Sequence, residues 1–253
     1  MRDIDFDNVR MQLDAQGFAI IPRLLNRSEC QETAALYKDD SRFYTYTDMR
    51  EWGDEAVEAE YKHFGKGDTD FPETLVLPEL VEYLRETLYE GLFTMASLWA
   101  YLVNAHFGKD GYAYPSTFKE FKAFSAEQGL THPFSAIIQY EEGKGNAMHQ
   151  DQSGKAVTFP FQCCVLLNDE NEFEGGRFTL QEEGKEPQYI DLKQGDAIIF
   201  PSEYRVDRGY EGGDYKVTLI KHGVEPLKQN IGEGYTGFCR TTLAIGFHGR
   251  PAP

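Results

Sequence analysis

Three residues in the second half of the chain have the types and spacing to hold a metal ion. His149 and Asp151 stand two positions apart in the run Met148-His149-Gln150-Asp151, and a second histidine, His222, follows far downstream. Two neutral imidazoles and one carboxylate can occupy one face of an octahedral Fe(II) and leave three adjacent positions open. In an extended segment, residues i and i+2 point to the same side, so His149 and Asp151 can reach one ion together. His248 competes for the distal role, but it lies two residues before Arg250 with no strand after it. His222 is therefore the expected third ligand, and His248 is expected at the surface or behind the ligands. His63, His106 and His132 have no partner pattern and read as structural, although His63 could line a substrate entrance.

These ligands need a rigid frame, and the sequence supplies short β-favouring runs punctuated by turns. Ser135 to Tyr140 reads as a strand, followed by the turn Glu142-Gly143-Lys144-Gly145-Asn146 and the extended run bearing His149. Phe159 to Leu167, Phe178 to Leu180 behind Gly175-Gly176, Ala197 to Phe200 behind Gly195, and Cys239 to Ile245 continue the pattern. Such spacing predicts an antiparallel sandwich or roll. Upstream, Phe18 to Ile21 reads as an edge strand ended by Pro22. Ser28 and Gln31 form a capping-box signature for a helix through about Lys38. Residues 48–70 look like an excursion or lid. Pro78 to Leu102 reads as two helices broken near Gly91, and about Pro115 to Gln128 as a further helix with Phe118, Phe121 and Phe124 on its apolar face.

The fold class expected is mainly β with flanking helices. At 253 residues and 41% hydrophobic content, one domain over 1–253 is expected, with helical support over about 1–130 and the roll over about 131–250. No run approaches the roughly 18 apolar residues of a membrane span, and the first residues carry early acids, unlike a secretory leader. Cys30, Cys163, Cys164 and Cys239 lack metal-knuckle spacing and read as reduced thiols of a cytoplasmic protein, with Cys163 and Cys164 on opposite faces of one strand. The balance of 25 basic to 42 acidic residues, −17 overall, disfavours nucleic-acid or anionic-membrane partners. Nothing in the sequence reports an oligomeric state.

In this order the stretches YEEGKGNAMHQD, VLLNDENEFEGGRFTL, GDAIIFP, HGVEPL and RTTLAIGF resemble the 2-oxoglutarate/Fe(II)-dependent dioxygenase superfamily on its prolyl-hydroxylase-like side. GFAIIPRLLNRSEC resembles that superfamily's entry strand and first helix, and DMREWGDEAVEAEYKHFGKGD with LPELVEYLRETLYE is similar to a bacterial subgroup of uncharacterised oxygenases. The resemblance implies a double-stranded β-helix (jelly roll) core, with Fe(II), 2-oxoglutarate as cosubstrate and O₂. It implies Arg240 on the far carboxylate of 2-oxoglutarate, aided by Thr242 two residues on and by Tyr140. The eighteen residues from His222 to Arg240 imply an inserted loop over Gln229 to Gly237. The implied reaction is hydroxylation of a small molecule or of a free or peptidyl amino acid, with succinate and CO₂ as coproducts. Retention of Asp151 favours hydroxylation over halogenation. Substrate residues are expected around Tyr44, Asp48, Arg50 and Glu60 to Phe64. Two alternatives stand beside this reading: an oxidative demethylase of N-alkylated nucleobases, and a non-redox cupin-like binding protein. Gly246 occupies the position where the demethylases carry a second arginine.

Overall fold

A computed structural model describes residues 2–48, 59–65, 76–110, 113–151, 158–208, 214–228 and 239–251. In chain order the elements are α1 (Phe6–Gln16), β1 (Ala19–Ile21), α2 (Arg27–Ala35), β2 (Phe43–Asp48), β3 (Glu60–Phe64), α3 (Glu79–His106) and α4 (Phe118–Glu127). Then follow β4 (His132–Pro133), β5 (Ala136–Glu141), β6 (Asn146–His149), β7 (Phe161–Leu166), β8 (Phe178–Glu182) and β9 (Gln188–Ile190). The last are β10 (Ala197–Pro201), β11 (Tyr204–Arg208), β12 (Tyr215–Val224), β13 (Cys239–Ile245) and β14 (Gly249–Arg250). The strands form a seven-stranded sheet, β1-β10-β7-β13-β5-β3-β2, facing a smaller one, β11-β12-β8-β9, to which β6 adds by pairing with β12. Every pairing is antiparallel. This is the jelly-roll core, with the helices outside the larger sheet.

Central strands explain the layering. In β7 every side chain is buried, because one face meets the helices and the other meets the smaller sheet. Its two adjacent cysteines divide accordingly: Cys163 joins the outer core with Trp99 and Phe161, and Cys164 joins the inner core with Phe178 and Phe200. The period-2 alternation of a strand produces that split.

Two helix expectations need correcting. The Pro78 to Leu102 run is not two helices; α3 runs unbroken for 28 residues. Gly91 marks a close approach instead of a break, since a Cβ there would lie 2.1 Å from the Phe6 ring. A mid-helix glycine costs only about 1 kcal/mol, which the docking of α1 can offset. The first helix signal was also misplaced. The capping box is Asn26 with Glu29, each side chain bonding the other's backbone N–H, two residues before the Ser28–Gln31 pattern.

The expected excursion is partly strand. Residues 60–64 form β3, which hydrogen-bonds to β5 and so extends the larger sheet beyond its roll. The rest of that region, 49–58 and 66–75, lies outside the described residues, as do 229–238, where an inserted loop was expected.

One long-range clamp fixes the segment after β13. Arg85 of α3 is almost fully buried and donates from Nε to the Gly246 carbonyl at 3.0 Å and from Nη2 to that of Phe247 at 3.1 Å. Its remaining arm meets Glu82 at 3.0 Å. Gly249 then pairs with Pro133 so closely that a Cβ would lie 2.2 Å from the Leu130 oxygen.

Candidate active site

β6 and β12 place the histidines by register, with His149 directly opposite His222 across the ladder. Their ring centroids stand 4.3 Å apart. Asp151, just past β6, turns its carboxylate to both: Oδ1 lies 3.6 Å from His149 Nε2 and Oδ2 3.3 Å from His222 Nε2. The ligating atoms of all three lie within 4.8 Å of one another. Donors about 2.1 Å from one octahedral ion and at right angles stand about 3 Å apart, so this set fits a divalent metal.

The surroundings prepare each donor. His149 Nδ1 lies 2.7 Å from the Ala147 carbonyl, which fixes Nδ1 as the protonated nitrogen and leaves the Nε2 lone pair facing Asp151. Burial and the neighbouring His222 lower the His149 pKa and keep the ring neutral. Burial alone would raise the Asp151 pKa, but His222, His149 and Gln162 reverse this and hold the carboxyl far below its usual range. Gln162 of β7 donates to Asp151 Oδ2 at 2.9 Å. Between the two ligands, Gln150 donates to the backbone carbonyls of Glu203 and Ile220 and so ties the H-x-D segment down. Sequence reading missed Gln162 because its partner lies in another strand.

Arg240 and Thr242 occupy one face of β13, and Arg240 pairs in register with Tyr140 of β5. Arg240 is 2% exposed, yet its Nε and Nη1 have no hydrogen-bond partner among the described residues. Its guanidinium carbon lies 5.4 Å from the Tyr140 ring centroid. The Thr242 hydroxyl is likewise buried, with the Cys164 thiol beside it. Tyr140 shares a buried polar cluster with Asn146 and Tyr61, in which Asn146 Nδ2 donates to the Tyr61 hydroxyl at 2.6 Å. Burial raises the pKa of both phenols, so they remain protonated donors.

The triad opens into a cavity of about 480 Å³, walled by Phe178, Phe200, Val224, Ile138 and Ala244 near the ligands. Farther out the wall is aromatic. His63 lies 20° from the plane of Tyr61 at 6.2 Å, and His248 lies 20° from the plane of Phe134 at 5.3 Å. His63 thus borders the cavity as expected. His248 is not a surface residue: it is 4% exposed and lines the cavity, because the Arg85 clamp draws its segment inward. Of the substrate residues expected upstream, Tyr61 and His63 reach the cavity; Tyr44 packs on His132 and His63, and Arg50 lies outside the described residues.

Comparison with known proteins agrees with this architecture. Residues 69–249 match the model of a family described as an oxygenase catalysing oxidative methylation of damaged DNA. The match covers well over half of the chain, and the chain belongs to this oxygenase family. Two curated relatives, the uncharacterised proteins MT2286 and Rv2227 from two strains of Mycobacterium tuberculosis, are each 28% identical over 164 residues. The match spans 63% of this chain and 66% of each relative, a little under two thirds of their length. Among solved structures, a Pseudomonas putida prolyl-4-hydroxylase superposes with a TM-score of 0.51 at 14% identity, covering 97% of this chain and 99% of the other. A prolyl hydroxylase from Trichoplax adhaerens gives 0.53 at 16% identity, covering 95% and 88%. The fold is therefore that of the prolyl-hydroxylase-like oxygenases, and the chain is an oxygenase by family. Among the described residues no helix is long and apolar enough to cross a membrane.

Proposed function

We propose that this oxygenase is a 2-oxoglutarate-dependent dioxygenase in which His149, Asp151 and His222 hold Fe(II) and Arg240, Tyr140 and Thr242 receive the cosubstrate. It hydroxylates a small molecule or an amino-acid substrate, free or peptidyl, and releases succinate and CO₂. The observation that carries the reading is the buried, unpartnered guanidinium of Arg240. An unpaired charge in a protein interior is costly, and a carboxylate gripped through two parallel N–H···O bonds would relieve that cost.

When bound, Fe(II) supplies open coordination positions at which the keto acid and O₂ are brought together. The protein does the rest. Asp151 stays ionised and His149 neutral, the forms that donate to a cation. Arg240 orients the cosubstrate from its far end, with the Tyr140 and Thr242 hydroxyls as further donors. Phe178, Phe200 and Val224 exclude water around the reacting atoms. The acidic balance of the chain and the modest, largely apolar cavity support a small substrate, and the four unpaired cysteines support a cytoplasmic setting. Anaerobic titration with Fe(II) and 2-oxoglutarate should produce a weak visible charge-transfer band. A protein that binds iron without that band would sink the cosubstrate assignment. Mass spectrometry of a cell extract incubated with the enzyme should then reveal a species gaining one oxygen.

A second reading has its own support. The family's description points to damaged DNA, and an oxidative demethylase would hold an N-alkylated base in the same cavity. Against it stands the acidic chain, since nucleic-acid binding relies on clustered cations. Formaldehyde release from a methylated oligonucleotide, with salt-sensitive binding, would favour the demethylase; release of none would leave the small-substrate reading.

A further inference from the structure

One arginine lines the cavity, and the proposed chemistry does not use its charge. Arg250, on β14, lines the outer end of the cavity and is partly exposed. Among the described residues its side chain makes no ion pair or hydrogen bond, in a chain where acidic residues outnumber basic ones 42 to 25. The position is also held rigidly. Arg250 pairs in register with His132, Gly249 sits against the Leu130 backbone, and the Arg85 clamp holds Gly246 and Phe247 just upstream. A fixed backbone narrows the region that the guanidinium can reach, although the side chain itself still loses rotamer freedom on taking a ligand.

Beside it, His248 supplies a further unused group. Its Nδ1 is buried without a partner, and its ring stacks on Phe134. A planar or apolar body resting on these rings would lie in the cavity that Arg250 and the triad both line. Arg240 and this segment follow from opposite ends of β13; five residues at about 3.3 Å each separate Arg240 from Ile245. Arg240 is not among the residues lining this cavity whereas Arg250 is, which leaves the outer cation for a different molecule.

We propose that Arg250, with His248 and Phe134, forms the substrate subsite and that the substrate is an organic anion whose carboxylate or phosphate is gripped by Arg250. The inference rests on the dioxygenase reading and deepens it by naming the substrate's chemistry. Three probes share one ring and differ in charge: phenylacetate, phenyl phosphate and the neutral phenylacetamide. Calorimetry would follow their binding to enzyme loaded with Fe(II) and 2-oxoglutarate under nitrogen, where turnover cannot run. At least one anion should bind about tenfold or more tightly than the amide. R250Q should erase that preference and R250K should keep part of it, with the melting temperature and the 2-oxoglutarate affinity unchanged in both. Preference for phenyl phosphate would assign a phosphate-bearing substrate, and preference for phenylacetate a carboxylate. The subsite is overturned if the anions bind no better than the amide, if none of the three binds, or if R250Q leaves the preference intact. It is equally overturned if R250Q weakens 2-oxoglutarate as strongly, which would make Arg250 a cosubstrate residue. Failure of wild-type enzyme to bind 2-oxoglutarate at all is a separate result and removes the dioxygenase reading itself.

Discussion

The two sides of the larger sheet each bury an arginine, and they treat it in opposite ways. On the helical side, Arg85 is 4% exposed and each of its three nitrogens has a partner: the Gly246 and Phe247 carbonyls and the Glu82 carboxylate. On the inner side, Arg240 is 2% exposed and two of its nitrogens have no hydrogen-bond partner among the described residues. The first arrangement is complete and serves the fold. The second is incomplete in the protein alone, and the proposed cosubstrate carboxylate is what would complete it.

The sharpest way to break this contrast is at the metal ligands proposed on the inner side. Replacing His149, Asp151 or His222 by alanine should abolish succinate production while leaving the melting temperature near that of the wild type in metal-free protein. A His222→Ala variant with full turnover, alongside an inactive His248→Ala, would reverse the assignment of the distal ligand.

Next come the arginines themselves, tested as a pair. Arg240→Ala should weaken the apparent affinity for 2-oxoglutarate more than tenfold, as loss of a buried charge pair costs about 2–5 kcal/mol. Its unfolding free energy without cosubstrate should hold or rise. Arg85→Ala should do the reverse: it orphans two carbonyls and destabilises the fold by about 2–3 kcal/mol in urea titrations, with the 2-oxoglutarate affinity little changed in what remains folded. Equal effects of both substitutions on both measurements would erase the distinction.

A smaller effect tests the border between the regions, where His63 and His248 lie. Burial lowers the pKa of His248 to about 4 and that of His63 to about 3. An unfolded chain takes up these protons near pH 6.5, well above the folded values. Stability should therefore fall as pH drops from about 6.5 toward 4, and level off once the folded rings protonate. Replacing His248 by Phe should remove on the order of 2 kcal/mol of that acid-induced loss, read from urea midpoints of metal-free protein at pH 7 and 4.5. Identical pH slopes for wild type and variant would mean that His248 is solvated in the native state.

The parts of this molecule legible in the sequence are those written locally. The H-x-D run offers its two candidate ligands by a two-residue spacing, and β7 stands out as a run that is apolar but for Gln162. What escaped depends on distant partners. Gly91 looks like a helix breaker until Phe6 is found resting on it. His248 looks terminal and exposed until Arg85, more than 160 residues away, pulls its segment into the cavity wall. The capping box failed for a different reason: Asn26–Glu29 and Ser28–Gln31 satisfy the same pattern, and only the docking of the helix chooses between them.

The paired cysteines of β7 bear on how long such an enzyme lasts. Both cysteines are among the residues lining the cavity beside the proposed metal site. Burial raises the pKa of both thiols, of Cys163 most strongly, so neither is present as thiolate at neutral pH. Thiolate is the form that oxidants attack. The chain can thus keep soft, space-filling sulfur beside its reactive centre without offering a nucleophile to stray oxidant, which makes resistance to self-inactivation a property of the packing.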